Sequence, residues 1–233
     1  NYIPWKGYFD LINRVDEFIL LDDVQYTKRD WRNRNKIRTR EGSKWLSIPV
    51  SGINSSIPIN SVKIADPDWG KLHWKRILGS YSAARYFQDY RPVFEDLYLG
   101  STDKYLSQVN YRFIKAICDI LSINTKISWS TCYRLEGKKT DRLVSLCRQA
   151  EADEYLSGPA AKVYLDEHLF KSWNIEVQWM DYTGYPVYRQ IFSPPFIHEV
   201  SIIDLIFAEG ADGARKHMLS FGSVSGETND PCD

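Results

Sequence analysis

Short blocks of apolar residues alternate along this chain with polar turns, and the spacing within each block predicts helices and strands. Residues Lys6–Val15 carry Phe9 and Ile12 at helical spacing, while Glu17–Leu21 is a compact apolar run typical of a strand. The same reasoning predicts a hairpin from Arg34–Arg40 and Lys44–Val50, helices at about 66–83, Tyr90–Leu99, Thr102–Leu121, Thr140–Ala150, Asp166–Ser172 and Ile202–Ala208, and strands at Val62–Ile64, Lys126–Trp129, Asp153–Leu156 and Ile175–Met180. Thr140 and Ser201 are the predicted caps of their helices, and Gly210 is the predicted end of the last one.

This order of elements predicts an α/β fold with a mostly parallel sheet and helices on both faces. We expect residues 1–219 to form a single domain, into which the hairpin and a helical lobe at about 66–121 are inserted. Residues 220–233 are small and polar, which is typical of a disordered tail. A short strand is expected before Asn1, and it would complete a strand–helix–strand unit with Glu17–Leu21.

Composition narrows the class of protein. Lys and Arg total 30 and so do Asp and Glu, so bulk attraction to nucleic acid or anionic lipid is not expected. Neither a leader nor an apolar run long enough for a membrane span is visible. The four cysteines (Cys118, Cys132, Cys147 and Cys232) have no metal-ligand or paired spacing, and Cys118 and Cys147 lie on apolar helix faces. Buried free thiols in a reducing cytoplasm are therefore predicted, with no metal site.

Candidate chemistry is concentrated in the first 36 residues, which mix aromatic, acidic, basic and amide side chains. Such groups are costly to bury and are typical of a ligand-binding loop. The candidate substrate- or phosphate-binding residues are Tyr2, Pro4, Trp5, Gln25, Tyr26, Lys28, Arg29, Trp31, Arg32, Asn33, Arg34 and Asn35, with Ser157 and Gly158 after a later strand. Ligands of parallel sheets bind beyond the carboxyl ends of the strands, so we expect 1–5, 22–35 and 157–161 to meet in one cleft.

Three residues are candidates for catalysis. Asp22 and Asp23 follow an apolar strand, and Asp23 in particular is expected to orient or deprotonate a substrate amine; the alternative is a turn that ends the strand. His73 lies in a predicted helix, where it is either an acid–base group or a structural residue.

The bases around Arg34 have two interpretations. Arginine forks match phosphate oxygens, so at least one of Arg29, Arg32 and Arg34 is a candidate phosphate contact. The alternative is a solvated hairpin face, because strand alternation places Arg34, Lys36, Arg38 and Arg40 together.

Residues 1–9 and 21–35 resemble the two opening motifs of the WbqC-like family, and Tyr185–Gln190 and Ser201–Leu205 resemble later ones. The resemblance implies a role in O-antigen or other surface-polysaccharide synthesis, where glycine transfer to an amino sugar has been suggested for members. The arrangement is also similar to the nucleotidylyltransferases and pantothenate synthetase, although their paired-histidine motif is absent.

The resulting expectation is a cytoplasmic enzyme that transfers an acyl or aminoacyl group to a nucleotide-linked amino sugar. ATP is a possible cofactor for activating the acid. The alternative is a non-catalytic sugar-nucleotide-binding or assembly protein of the same pathway. The expected partner in either case is a nucleotide-linked sugar or another phosphate-bearing small molecule.

Overall fold

Helices and strands follow the apolar blocks of the sequence closely in the computed structural model, which describes residues 1–54 and 56–222. The helices are α1 (Lys6–Asn13), α2 (Trp69–Tyr81), α3 (Phe87–Leu99), α4 (Leu106–Leu121), α5 (Thr140–Gln149), α6 (Glu167–Lys171) and α7 (Ile202–Lys216). The strands are β1 (Glu17–Leu20), β2 (Arg34–Thr39), β3 (Gly42–Ser47), β4 (Val50–Ser51), β5 (Lys63–Ile64), β6 (Lys126–Trp129), β7 (Glu154–Ser157) and β8 (Glu176–Trp179). The predicted mixture of helices and strands is confirmed.

Within the described residues the strands pair two by two, which corrects the expectation of one extended parallel sheet. The pairs β1–β6 and β7–β8 are parallel, while β2–β3 and β4–β5 are antiparallel. Alternating helices and strands predict the direction of successive strands, but they do not specify which strand edges meet. The parallel ladders are four residues long and remain separate.

The main core forms around α4, whose buried positions repeat at helical spacing. Leu106, Val109, Phe113 and Ile117 are fully buried there, and each such side chain contributes about 1.5–3 kcal/mol of hydrophobic stabilisation. A smaller core, which includes Phe170, lies beside β7 and β8. Cys118 and Cys147 are buried as predicted, and Cys132 is exposed.

Two predicted helix ends are wrong. Gly210 interrupts α7 with φ 68°, a left-handed conformation that glycine adopts readily, but the helix resumes and continues to Lys216. Thr140 is the first residue of α5, not its cap. Its hydroxyl instead accepts a hydrogen bond from the backbone N–H of Asp166 at 3.3 Å, because the start of α5 packs beside the loop before α6.

Residues 182–201 run across one side of β2 without forming a helix or strand. Arg38 is buried beneath this segment and donates to the backbone oxygens of Phe192 and Pro195, the latter at 3.1 Å. The expectation that Arg38 is solvated is therefore wrong, because a non-local segment covers its end of the strand.

The C-terminal region is described only in part. Ser220 is hydrogen-bonded through its backbone and side chain to Asp10 of α1, so this residue does not behave as part of a tail. Residues 223–233 of the predicted disordered tail lie outside the described residues. Among the helices that are described, none has the length and apolar character needed to cross a bilayer.

Candidate functional site

The two opening motifs lie side by side because backbone hydrogen bonds tie them together. The N–H of Tyr2 donates to the Trp31 carbonyl at 3.0 Å. The Asn35 amide donates to the carbonyls of Tyr2 and Ile3 at 3.2 and 2.9 Å. The Pro4 carbonyl accepts the N–H at the start of α7. Tyr2, Pro4 and Asn35 therefore fix the path of the chain that surrounds the candidate site.

A cavity of about 240 Å³, hereafter the inner cavity, lies at the carboxyl end of β1. It is lined by Asn1, Tyr8, Phe18, Ile19, Leu20, Leu21, Asp22, Arg32, Ile59, Ser107, Asn110, Tyr111 and Trp129. Asn1 comes from the first motif, and Asp22 and Arg32 come from the second. Residues that are far apart in sequence thus contribute polar groups to one cavity.

Asp22 is the most unusual of these groups. Its side chain is buried, and among the described residues its Oδ1 has no hydrogen-bond partner. Burial raises the pKa of Asp22 to about 6, and the neighbouring charge of Asp23 adds to the shift. A carboxylate with this pKa can accept a proton near neutral pH.

Asp23 has a different environment although it is the next residue. It accepts a hydrogen bond from the Ser130 hydroxyl at 2.8 Å and forms an ion pair with Arg142 of α5. Ser130 directly follows β6, so Asp23 ties the ends of two paired strands to a helix. Its carboxylate is already committed to protein partners.

Arg32 and Asn110 supply the complementary polar groups of the inner cavity. The Arg32 guanidinium is held by an ion pair with Asp30, and burial lowers its pKa without removing its charge. The Asn110 amide donates to the Arg32 carbonyl at 2.8 Å. Its Oδ1 has no partner among the described residues, which leaves an acceptor available beside a cation.

His73 lies elsewhere, inside an aromatic cluster, and is not among the residues that line the inner cavity. Its ring is hydrogen-bonded to the Tyr2 hydroxyl at 2.8 Å and to the Ser47 carbonyl at 3.2 Å. The Tyr2 hydroxyl is also hydrogen-bonded to that of Tyr98 at 3.0 Å. Burial lowers the pKa of His73 to about 4, so the ring is neutral at physiological pH. These contacts give His73 and Tyr2 a structural role.

Trp5, Ser157 and Gly158 also lie outside the lining of the inner cavity. The Trp5 ring packs edge-on against Tyr182 at 5.2 Å, and Tyr182 in turn lies beside Gly158. Ser157 is buried at the end of β7. Of the three segments that we expected to meet, the first two supply residues to this cavity and the third does not.

The remaining candidates lie around the hairpin or in the loop before it. Trp31 packs against Trp45 of β3 at 5.1 Å, and the Arg34 guanidinium lies 4.3 Å from the centre of the Trp45 ring. Gln25 forms an isolated β-bridge with Pro58, and Tyr26 is buried. Lys28 and Arg29 are exposed. The Asn33 amide donates to the Ile48 carbonyl at 2.9 Å.

Sequence reasoning missed Tyr8, Asn110, Tyr111 and Trp129 as lining residues. Asn110 carried a readable signal, because it is an amide on the otherwise apolar stripe of α4, and a buried polar residue in such a stripe is informative. Tyr111 and Trp129 carried none, since aromatic residues at the edge of a helix or strand are more often part of the core.

Comparisons with known proteins identify relatives but no activity. The uncharacterized protein Rv1507c of Mycobacterium tuberculosis is 46% identical over 214 residues, which are 91% of this chain and 92% of that protein. No solved structure matches the chain. A model of the WbqC-like protein family matches residues 1–216. Since that match covers nearly the whole chain, the protein belongs to the WbqC-like family.

Proposed function

We propose that this protein is a cytoplasmic enzyme of surface-polysaccharide synthesis that transfers an acyl or aminoacyl group to the amine of a nucleotide-linked amino sugar. The observation that carries the proposal is the Asp22 carboxyl, which is buried in a cavity, lacks a partner on Oδ1 and has a pKa of about 6. Buried carboxyls with raised pKa values are typical of catalytic bases.

Asp22 supplies the base for the reaction. The sugar ammonium loses a proton to the Asp22 carboxylate, and the free amine attacks the acyl carbonyl. The new C–N bond forms, and the bond to the leaving group breaks with its electron pair going to that group. The second proton of the attacking nitrogen passes to the leaving group or to water, which gives the neutral amide. If ATP activates the acid, that leaving group is AMP. Asp22 thus replaces Asp23 as the principal base, because Asp23 is already paired with Arg142.

Arg32 and Asn110 supply binding and charge stabilisation. Arg32 provides donors to an oxyanion or phosphate oxygen, in a position fixed by Asp30. The unpartnered Oδ1 of Asn110 is suited to accept an N–H or O–H of the substrate. A base, a cation and an acceptor around one cavity are the groups that an amine acylation needs.

The alternative of a non-catalytic sugar-nucleotide-binding protein also has support. Within the described residues, no group of three or more His, Cys, Asp or Glu is placed to hold a metal ion. The lining of the inner cavity contains no Ser–His or Cys–His pair, so covalent catalysis has no visible machinery there.

An assay of amide formation distinguishes the transferase from the non-catalytic binding protein. Amino-sugar nucleotides are incubated with glycine and ATP, or with acyl thioesters, and amides are detected by mass spectrometry. Asp22→Asn should lower turnover about 10²- to 10⁴-fold, the usual contribution of a general base, while nucleotide-sugar affinity is retained. Asp16→Asn, an exposed acid before β1, is the matched control. Binding without turnover in the parent protein would favour the binding protein, and normal turnover in Asp22→Asn would remove Asp22 as the base.

A further inference from the structure

A second, open space of about 490 Å³, hereafter the outer groove, shares two aromatic lining residues with the inner cavity. Tyr111 and Trp129 line both spaces, and their ring centres are 5.2 Å apart at an angle of 44°. The two spaces therefore meet at this aromatic pair.

A nucleotide-linked substrate is too large for the inner cavity alone. Ligand pockets for whole small molecules typically measure about 300–1,000 Å³. The inner cavity, at about 240 Å³, is below that range, whereas the outer groove lies within it. A ligand whose reactive amine reaches Asp22 has room for its larger part in the outer groove, which Tyr111 and Trp129 also line.

The charges of the outer groove exclude phosphate as its principal occupant. Arg112 is paired with Asp103 at 3.4 Å, and Lys115 is paired with Asp119 at 2.6 Å. Asp96 adds a third carboxylate, so the lining carries three acids and two bases and has a net charge of 3 − 2 = 1 negative unit. Each of these two cations has its carboxylate partner in the lining of the groove itself, whereas Asp30, the partner of Arg32, is not among the residues that line the inner cavity.

The groups that remain available suit a neutral, hydroxyl-rich ligand with a planar ring. Gln108 is exposed on the same side of α4, one turn before Tyr111, and its amide can both donate and accept hydrogen bonds. Asp96 offers acceptors for hydroxyl groups. Tyr111 and Trp129 offer ring faces and edges, on which any nucleobase can stack.

We infer that the outer groove binds the nucleoside of the substrate, with its base against Tyr111 and Trp129 and its ribose hydroxyls towards Asp96 and Gln108. The inference rests on the proposed function for the identity of the substrate. It places the two ends of one ligand on opposite sides of the aromatic pair. The amine lies at Asp22, the nucleoside lies in the groove, and the phosphates lie between them.

Binding of nucleosides tests the inference without any acyl donor. UDP, GDP, CDP and dTDP, and the corresponding nucleosides, are titrated by calorimetry against the parent protein and the variants Trp129→Leu, Tyr111→Leu and Gln108→Ala. Base stacking by one aromatic side chain corresponds to roughly 5- to 100-fold in affinity, so either aromatic substitution should weaken the preferred nucleoside and its diphosphate by that factor. Gln108→Ala removes only an exposed amide and should weaken both ligands several-fold without changing the fold.

Two controls make the result decisive. Trp173 is an exposed tryptophan that does not line the groove, and the Arg148 guanidinium stacks on its ring at 3.5 Å. Trp173→Leu should therefore leave nucleoside affinity unchanged. Binding of the free amino sugar should not change in Gln108→Ala, because Gln108 lines only the outer groove. Unchanged nucleoside affinity in Trp129→Leu, Tyr111→Leu and Gln108→Ala, or no nucleoside binding by the parent protein, would overturn the assignment of the groove. Turnover that depends on Asp22 would still support the proposed function in that case.

Discussion

Two buried aspartates lie in opposite kinds of environment, and the contrast separates structural from functional charge in this protein. Asp10 of α1 is fully buried and receives four hydrogen bonds, from the Tyr185 hydroxyl, the Leu219 N–H, and the N–H and hydroxyl of Ser220. Asp22 is nearly as buried, yet its Oδ1 has no partner among the described residues. One carboxylate is saturated by the fold, and the other is left facing a cavity.

The difference follows from what each carboxylate does for the chain. Asp10 joins α1 to residues that lie more than 170 positions later, so its charge is used in closing the structure. Asp22 joins nothing through Oδ1, and burying an unpartnered carboxylate costs stability. A buried carboxylate that lacks a partner in the protein is expected where a bound ligand supplies that partner.

The largest expected effect on stability is at Asp10, the aspartate with a structural role. Asp10→Ala removes a buried acceptor that serves four donors and should lower the free energy of unfolding by about 3–5 kcal/mol. Guanidinium unfolding at pH 7 measures it. Asp16→Ala, at an exposed position on the same stretch of chain, should change stability by less than about 0.5 kcal/mol. Equal, small losses in both variants would show that the Asp10 hydrogen bonds do not hold the C-terminal region.

Asp22→Asn should raise the free energy of unfolding, whereas Asp10→Ala lowers it. The folded-state pKa of about 6 is above the ordinary 3.8, so the folded protein binds the Asp22 proton more tightly than the unfolded chain does. The resulting stabilisation is fully present below about pH 4 and is lost as the pH rises to 6. Replacing Asp22 by an uncharged amide should therefore stabilise the protein by about 1–3 kcal/mol at pH 7–8 and have little effect at pH 4. The same gain at both pH values would contradict a raised pKa.

Sequence reasoning placed both acids of this candidate site among the expected functional residues but could not see what separates them. Asp22 and Asp23 share the position after an apolar strand, and sequence reasoning favours Asp23 as the base. What separates them is Ser130 and Arg142, which lie more than 100 residues away and reach Asp23 only in the folded chain. Non-local partners of this kind are not visible in the pattern of one strand and its turn.

The fold shows the same division between local and non-local information. The boundaries of α4, the β2–β3 hairpin and β6 were predictable to within a few residues, because apolar spacing and turn residues are local. The pairing of β1 with β6, more than 100 residues later, and the burial of Arg38 under residues 182–201 were not predictable. Both depend on which distant segment packs against a strand.

His73 provides a third buried titratable group, and its ring nitrogens are both bonded, as the oxygens of Asp10 are. Its folded-state pKa of about 4 is below the ordinary 6.5, so its contribution to stability is present above pH 6.5 and is lost as the pH falls towards 4. In an Asp22→Asn background, stability should fall by on the order of 1–2 kcal/mol between pH 6.5 and 4.5. His73→Phe in that background should be less stable at pH 7 but show a smaller fall. An unchanged slope would assign the acid sensitivity to other groups.

The smallest effect is expected at Asp23, and it completes the comparison of the two adjacent acids. The Asp23–Arg142 pair is partly solvated, with side chains 23% and 26% exposed, so the coupling energy from Asp23→Asn, Arg142→Met and the double variant should be about 0.2–1 kcal/mol. Urea unfolding at low and high salt measures that coupling, which should decrease with salt because solvent screens the pair. Turnover in Asp23→Asn should remain within several-fold of the parent, since the carboxylate already has partners. A loss as steep as that of Asp22→Asn would make Asp23 the base and Asp22 its buried neighbour.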